Sequence, residues 1–307
     1  MKLHHLQALV AVIDHGGIRA AARALHLSQA ALTKSLRLLE EDAATPLLRR
    51  HSRGVELTEA GERLVGHARL ITRQLQRAEE ELRQAAGEDS GTLRVGLVPL
   101  LTLTALPEVF AWFRQRYQRV QLQFTEGLVA RVVPALREGT LDLAVVALEA
   151  HQQPGHGLHQ RLLRQEPQCV VARTGHALHR SAGAPALSSC EWLVTSSLLA
   201  DAGSRLQPMF GPAGLPLPTR LVSSEAMGTL ALLRSTDAVS VLPRSLLGRP
   251  ATEGIAEVKN CPLRAADLQL ALLQRPQTPL TPAAEYFAHC LVQVVGTGGQ
   301  AQAMATA

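Results

Sequence analysis

Between Ala86 and Thr92 the chain changes its hydrophobic period, and that change constrains the fold more than any single motif. Before Gly87-Glu88-Asp89-Ser90-Gly91, apolar residues recur mostly at helical spacing. After it, short strand-like runs alternate with helical ones. A polar, glycine-bounded segment between two such patterns reads as a hinge, here residues 87–91. At 307 residues the chain is also long for one core, so more than one domain is expected. Its 46% hydrophobic content is enough to bury those cores and excludes wholesale disorder.

The helical part begins with Leu6, Leu9, Val10 and Ile13 on one face of a helix over 3–14, ended by Gly16-Gly17. From Gly17 to Glu40 the pattern gives two helices joined by a tight turn at His26 to Ser28. Ser28 suits the N-cap of the second, because its hydroxyl can accept from an orphan amide. Leu32, Leu36 and Leu39 then form a buried stripe, while Gln29, Ala30, Thr33, Lys34 and Arg37 face the other way. A leucine back with a Gln/Thr/Lys/Arg front suits the DNA major groove, where such side chains reach base edges and phosphates. A plain helical hairpin with a solvated charged face has the same spacing.

Pro46 ends that helix, since it has no N–H to continue one. Residues 47–58 read as two short strands around a basic turn at Ser52 to Gly54. Beside a recognition helix such a hairpin is a wing, with Arg50 and Arg53 on backbone phosphate or in the minor groove. A solvated basic loop is the alternative. Residues 1–58 hold eight Lys/Arg against five Asp/Glu, a net +3. That excess is compatible with phosphate binding. Thr58 caps a long helix over 59–86, with acids in its first turn. Leu64, Ala68, Ile71, Leu75, Ala78, Leu82 and Ala85 alternate at spacings of four and three, a heptad seam that fits a dimer helix. A lone amphipathic helix lying on its own domain is the other reading.

Past the hinge, strands are expected at 92–98, 120–125 and 141–146. Helices are expected at 102–117, kinkable at Pro107, and at 128–138, tolerating Pro134. This order predicts a parallel α/β sheet with ligands beyond the carboxyl ends of its strands. Further strands fit 169–172, 192–195, 220–222, 238–242 and 268–273, with helices at 226–234 and 282–295. The Gly/Ala/Gln-rich tail, 296–307, is expected to be disordered.

The start lacks the shape of an export signal, and no apolar run reaches the ~18 residues of a membrane span, so the cytoplasm and no membrane contact are expected. Cys169, Cys190, Cys261 and Cys290 fit no zinc spacing and read as reduced, buried thiols, with a redox-switch disulfide as the lesser alternative. His151, His156, His159, His176 and His179 suggest a metal or acid–base site. They fall in Gly/Pro-bounded loops without carboxylates at ligand spacing, so solvated loops, no metal and no cofactor are expected.

Taken in order, the chain resembles the LysR-type transcriptional regulators along nearly its whole length. The residues that carry the resemblance are Ala21-Ala22, Leu25, Leu27-Ser28-Gln29-x-Ala31-Leu32, Leu39-Glu40, Pro46-Leu47, Arg50, Arg53-Gly54-Val55 and Leu57-Thr58-x-Ala60-Gly61. Farther on, Gly139-Thr140-Leu141-Asp142-Leu143-Ala144 is similar to the family's Gly-x-Leu-Asp strand entry, and Pro243 follows a matching strand. The resemblance implies a winged helix-turn-helix domain (1–58), a dimerising linker helix (59–86) and an α/β effector domain (92–295) like the two-lobed periplasmic binding proteins. Lobe one would hold 92–162 and 268–295, lobe two 163–267. It also implies a regulator rather than an enzyme or a solute-binding transport component. Expected partners are double-stranded DNA, a small-molecule effector and a second copy through 59–86. A homotetramer is a further candidate assembly, and RNA polymerase a further candidate partner.

DNA contacts are expected from Ser28, Gln29, Ala30, Thr33, Lys34, Arg37, Arg50 and Arg53. The dimer would set two recognition helices ~34 Å apart or a multiple of that. The effector is expected at Leu100, Thr102, Leu128, Val129, Thr195 and Ser196. Hydroxyls at helix N-termini there would favour a carboxylate, whereas plain helix caps would favour nothing. The chain departs from the family at Gly17 (usually Ser/Thr), Ala30 (often Pro or Ser), Thr33 (often Ser), Leu100 (often Ser/Thr) and Ser235-Thr236-Asp237-Ala238-Val239 (usually Gly-x-Gly-Ile before the strand).

Overall fold

The computed structural model describes residues 1–51, 54–149, 157–180, 184–195, 202–276 and 278–304, with backbone alone for 50, 54, 184–185, 202–204 and 297–304. Helices α1 (Leu3–Asp14), α2 (Ile18–Ala24) and α3 (Gln29–Ala43) pack through Leu9, Leu32, Leu36 and Leu39, all sealed from water. Gly17 offers α2 no side-chain cap. The turn into α3 forms as His26 enters the left-handed region at φ 53°, while the His26 and Leu27 amides bond back to Arg23 and Ala22.

The wing is an antiparallel hairpin of β1 (Leu48–His51) and β2 (Gly54–Leu57), pairing Leu48 with Leu57. Three family-motif residues clasp its base. Glu40 Oε1 accepts from the Leu47 and Leu48 amides at 2.9 and 3.0 Å. Thr58 Oγ1 donates to the Pro46 carbonyl at 2.8 Å and accepts from the Gly61 amide at 3.0 Å. At Gly61 a Cβ would lie 2.1 Å from the Leu47 carbonyl oxygen, so only glycine lets the helix come this close.

Helix α4 runs from Glu59 to Ala85. Its first half belongs to the N-terminal core, with Val65 and Ala68 buried there and Arg69 paired to Asp14 at 2.6 Å. Ala68 is therefore sealed inside its own domain and cannot join the expected seam. Ile71, Leu75 and Leu82 stay exposed.

Beyond the hinge come β3 (Thr92–Leu97), α5 (Pro99–Thr104), α6 (Leu106–Arg116), β4 (Gln121–Glu126), α7 (Val129–Arg137), β5 (Leu143–Glu149) and β6 (His159–Glu166). The helix expected at 102–117 is thus two helices meeting at Ala105. Pro107 lacks the N–H that would bond to the Leu103 carbonyl, so α5 ends at Thr104 and α6 starts afresh with the proline in its first turn, where no such bond is needed.

Lobe two holds β7 (Gln168–Arg173), α8 (Ala184–Ser189), β8 (Glu191–Thr195), α9 (Ala202–Phe210), β9 (Arg220–Ser224), α10 (Ala226–Ser235), β10 (Val239–Pro243) and β11 (Ile255–Glu257). The chain returns to lobe one in β12 (Leu268–Gln274) and α11 (Pro282–Met304).

Both sheets are mixed, not wholly parallel as expected. Lobe one has the order β4-β3-β5-β12-β6, with β3 parallel to β4 and β5 but β12 antiparallel to β5 and β6. The returning β12 enters against the direction of β5 and slots between it and β6. Lobe two has the order β11-β7-β10-β8-β9, with β7 antiparallel to β10 and β11. Because β6 stays paired through Glu166, the chain leaves lobe one at Pro167, later than residue 162. Helix α11 continues to Met304 instead of ending at Val295. Its Ala, Gln and Met residues favour helix once a packed first half has nucleated it, which overcomes the glycines.

Candidate functional site

The exposed face of α3 gathers the residues expected there. Ser28 Oγ accepts from the Ala31 amide at 3.1 Å and caps the helix. Behind the cap, Leu32, Leu36 and Leu39 are buried, which fixes the rotation of the helix. Gln29, Ala30, Thr33, Lys34 and Arg37 then line one shallow surface depression. Arg37 Nε pairs with Glu41 at 3.1 Å, one helical turn on, with both side chains mostly exposed and so free to exchange that contact for another. In the wing, Arg53 and the side chain of Arg50 lie outside the described residues.

The second half of α4 is tied to lobe one by polar contacts the sequence did not signal. Asp142 sits at the start of β5, where Oδ2 accepts from the Arg94 amide at 2.9 Å. Arg77 Nε lies 3.7 Å from Asp142 Oδ1, both side chains more than nine-tenths buried, and Arg77 Nη2 donates to the Pro279 carbonyl at 3.0 Å. Arg73 Nε donates to Gly139 and Arg275 Nη1 to Leu136 and Leu141. Besides pairing with Arg77, Asp142 acts electrostatically on the Arg94 and Arg275 guanidinium groups, favouring their charged forms. Burial pulls the Arg77 guanidinium below its ordinary value, against the pull of Asp142. Burial, then the neighbouring Arg77, brings Arg275 down to about 10.

Between the lobes lies a cavity of about 170 Å³. Leu100 from α5, Leu128 from the cap of α7 and Thr195 from the end of β8 line it, as expected. Thr102 does not, because α5 starts at Pro99 and turns Leu100 and Leu103 inward instead, and Val129 does not, because it packs against the Val132 and Leu136 core. Ser196 lies outside the described residues. Two charged residues that sequence reasoning missed line the cavity, Glu149 at the end of β5 and Arg205 on α9. They pair across the lobes at 3.1 Å. Nothing local marks them, since they are 56 residues apart and meet only when the lobes pack.

The histidines are structural where they are described. His176 Nδ1 accepts from the Leu178 amide and caps a short turn, His179 Nε2 contacts the Arg173 carbonyl, and His159 stands on edge strand β6 rather than in a loop. His151 and His156 lie outside the described residues. No group of three metal-ligating side chains forms among the described residues. Burial pushes every cysteine thiol up, Cys169 to about 12, which disfavours the reactive thiolate. Among the described residues no helix is long and apolar enough to cross a membrane.

Residues 3–62 match the family described as "Bacterial regulatory helix-turn-helix protein, lysR family", and residues 86–296 match "LysR substrate binding domain". The chain belongs to the LysR family of transcriptional regulators. Among LysR relatives, the transcriptional regulator GbpR of Azospirillum brasilense is 30% identical over 80% of this chain and 72% of its own length. The regulator PcaQ of Agrobacterium fabrum is 30% identical over 84% and 83%. Two solved full-length LysR-type folds superpose on nearly the whole chain. A single-residue variant of OxyR from Pseudomonas aeruginosa has a TM-score of 0.69 at 23% identity, covering 96% of this chain and 95% of its own. CbnR, solved with its target DNA, has a TM-score of 0.64 at 23% identity, covering 96% and 100%.

Proposed function

We propose that this LysR-family chain regulates transcription by reading a near-palindromic DNA site as a dimer, under control of a small-molecule effector in the interlobe cleft. The observation that carries the reading is α3 itself: a leucine-sealed back and Gln29, Thr33, Lys34 and Arg37 on one open face. Gln29 and Thr33 present hydrogen-bonding groups to base edges. Lys34 and Arg37 meet phosphate or guanine, and Arg50 and Arg53 anchor the wing to the backbone. Pairing through the open Ile71-Leu75-Leu82 face of α4 brings two such helices to one duplex. The CbnR complex with target DNA and the LysG structure with bound effector Arg are precedents for both ligand classes on this fold. The chain acts as a regulator in the cytoplasm, not as an enzyme.

Lys34→Ala and Arg37→Ala, measured on a site selected from genomic DNA, test this. The expected result is weaker binding with a salt slope lower by about one for each lost phosphate contact. An unchanged slope in both variants overturns the assignment of this face.

A further inference from the structure

The interlobe cleft is lined mainly by apolar side chains, with Leu100, Leu103, Leu193, Leu206, Met209 and Leu230 among its walls. Its few polar groups are already engaged with the protein. Ser240 Oγ donates to the Leu193 carbonyl at 2.7 Å, and Gln168 Nε2 donates to Ala266 at 2.6 Å. Thr195 Oγ1 stands 3.4 Å from Thr229 Oγ1, which is 2.7 Å from Ser224 Oγ. Arg205 Nη1 donates to the Thr195 carbonyl at 3.0 Å and Nη2 to Glu149 at 3.1 Å, so among the described residues the two charges in the lining pair with each other.

Among the described residues, the buried side-chain atoms left without a hydrogen-bond partner lie elsewhere, on His5, Arg77, Asp89, Arg164 and Arg275. Residues 150–156 and 196–201, which follow Glu149 and Thr195 in sequence, contain no Lys or Arg, while His151, His156 and Asp201 among them lie outside the described residues.

A charged ligand entering such a site must lose its water and also break an existing ion pair to gain a counter-charge. An uncharged apolar one gains by leaving water and needs no counter-charge. The size agrees: an apolar cavity of ~150 Å³ holds a benzene ring. We propose that the cleft binds an uncharged, mainly apolar molecule of about one ring, with the Arg205–Glu149 pair remaining closed across it. This rests on the cleft being the effector site, and it replaces the carboxylate expected from helix N-termini.

Three probes of one size separate the outcomes: toluene, benzoate and benzylammonium, each titrated into the full-length chain by calorimetry and thermal shift. The expected result is a rise in Tm with toluene and an affinity at least about tenfold above either ion. That affinity is lost when the cavity is filled by Ala147→Phe from lobe one or Met209→Trp from lobe two, variants whose fold is checked by circular dichroism. Benzoate binding tighter than toluene and lost in Arg205→Gln overturns the uncharged ligand while leaving the cleft as the effector site. Binding that neither filling variant reduces overturns both. No binding by toluene also overturns the proposal.

Discussion

An arginine–carboxylate pair bridges each of this molecule's two joints, and the two are built differently. Arg77–Asp142 joins the linker helix to lobe one, with both side chains more than nine-tenths buried. Arg205–Glu149 joins the two lobes, with its arginine 37% and its glutamate 18% exposed. At the first joint Asp142 also accepts a backbone amide, and further arginines crowd it, so the carboxylate is a fixed counter-charge. At the second, the pair is partly exposed at the cleft, and the lobes also meet where Glu166 accepts from the Ser245 amide at 3.0 Å and Arg164 donates to Ser245 Oγ at 3.2 Å. Buried charges of the first kind cannot exchange their partner for water without a large cost, whereas a partly exposed pair of the second kind can open and close as occupancy of the cleft changes.

The sharpest way to break this contrast is to remove the aspartate. Asp142→Ala strands buried guanidinium groups and an amide, and it should cost about 3–5 kcal/mol in urea unfolding. Arg77→Met keeps the volume and removes one of several like charges, so it should cost clearly less. Equal costs, or a loss under about 1 kcal/mol for Asp142→Ala, would show that the buried joint is no stronger than a surface pair.

The same contrast sets what the sequence could reveal. Features made within one helical turn or one hairpin were legible: the Ser28 cap, the leucine stripe of α3, the paired strands of the wing and the Thr58 cap. Glu40 and Gly61 were legible only as motif letters, because their roles depend on the wing folding back onto α3 and α4. Strand β6 was missed because its polar His159-Gln160-Arg161 start lies on a sheet edge and never needs an apolar alternation. Ala68 fitted a heptad seam, yet α1 claims it, since period alone does not say which partner a stripe meets. Both ion pairs were invisible, because each joins residues far apart in the chain.

Lobe two offers a check that the looseness of the cleft pair comes from its position and not from a soft lobe. Cys169 on β7 is buried, and desolvation pushes its thiol up from 9.0 to about 12. For an acid the raised value favours the neutral form in the folded state. Below pH 9 neither state ionises, and above it the unfolded chain gives up a proton that the folded chain keeps. Stability owed to this group is therefore intact below pH 9 and falls as pH rises toward 12. The slope is about 1.4 kcal/mol per pH unit. Urea unfolding at pH 9 and 10 should show that extra loss in the parent chain relative to Cys169→Ala. No difference in slope would mean that water reaches β7 and that the whole lobe is loose.

The smallest expected effect belongs to the cleft pair itself. Arg205→Ala removes a partly exposed contact whose partner still reaches solvent, so unfolding should change by only about 0.2–1 kcal/mol. If it is an exchangeable interlobe contact, its loss should show in lobe separation instead. Small-angle scattering of Arg205→Ala should report a broader distribution of interlobe distances, and saturating toluene should narrow it again. A stability loss as large as that of Asp142→Ala would make the two joints equivalent. An unchanged distance distribution would mean that Leu103 packed against the core of lobe two, with Glu166 and Arg164 bonded to Ser245, holds the lobes without the ion pair.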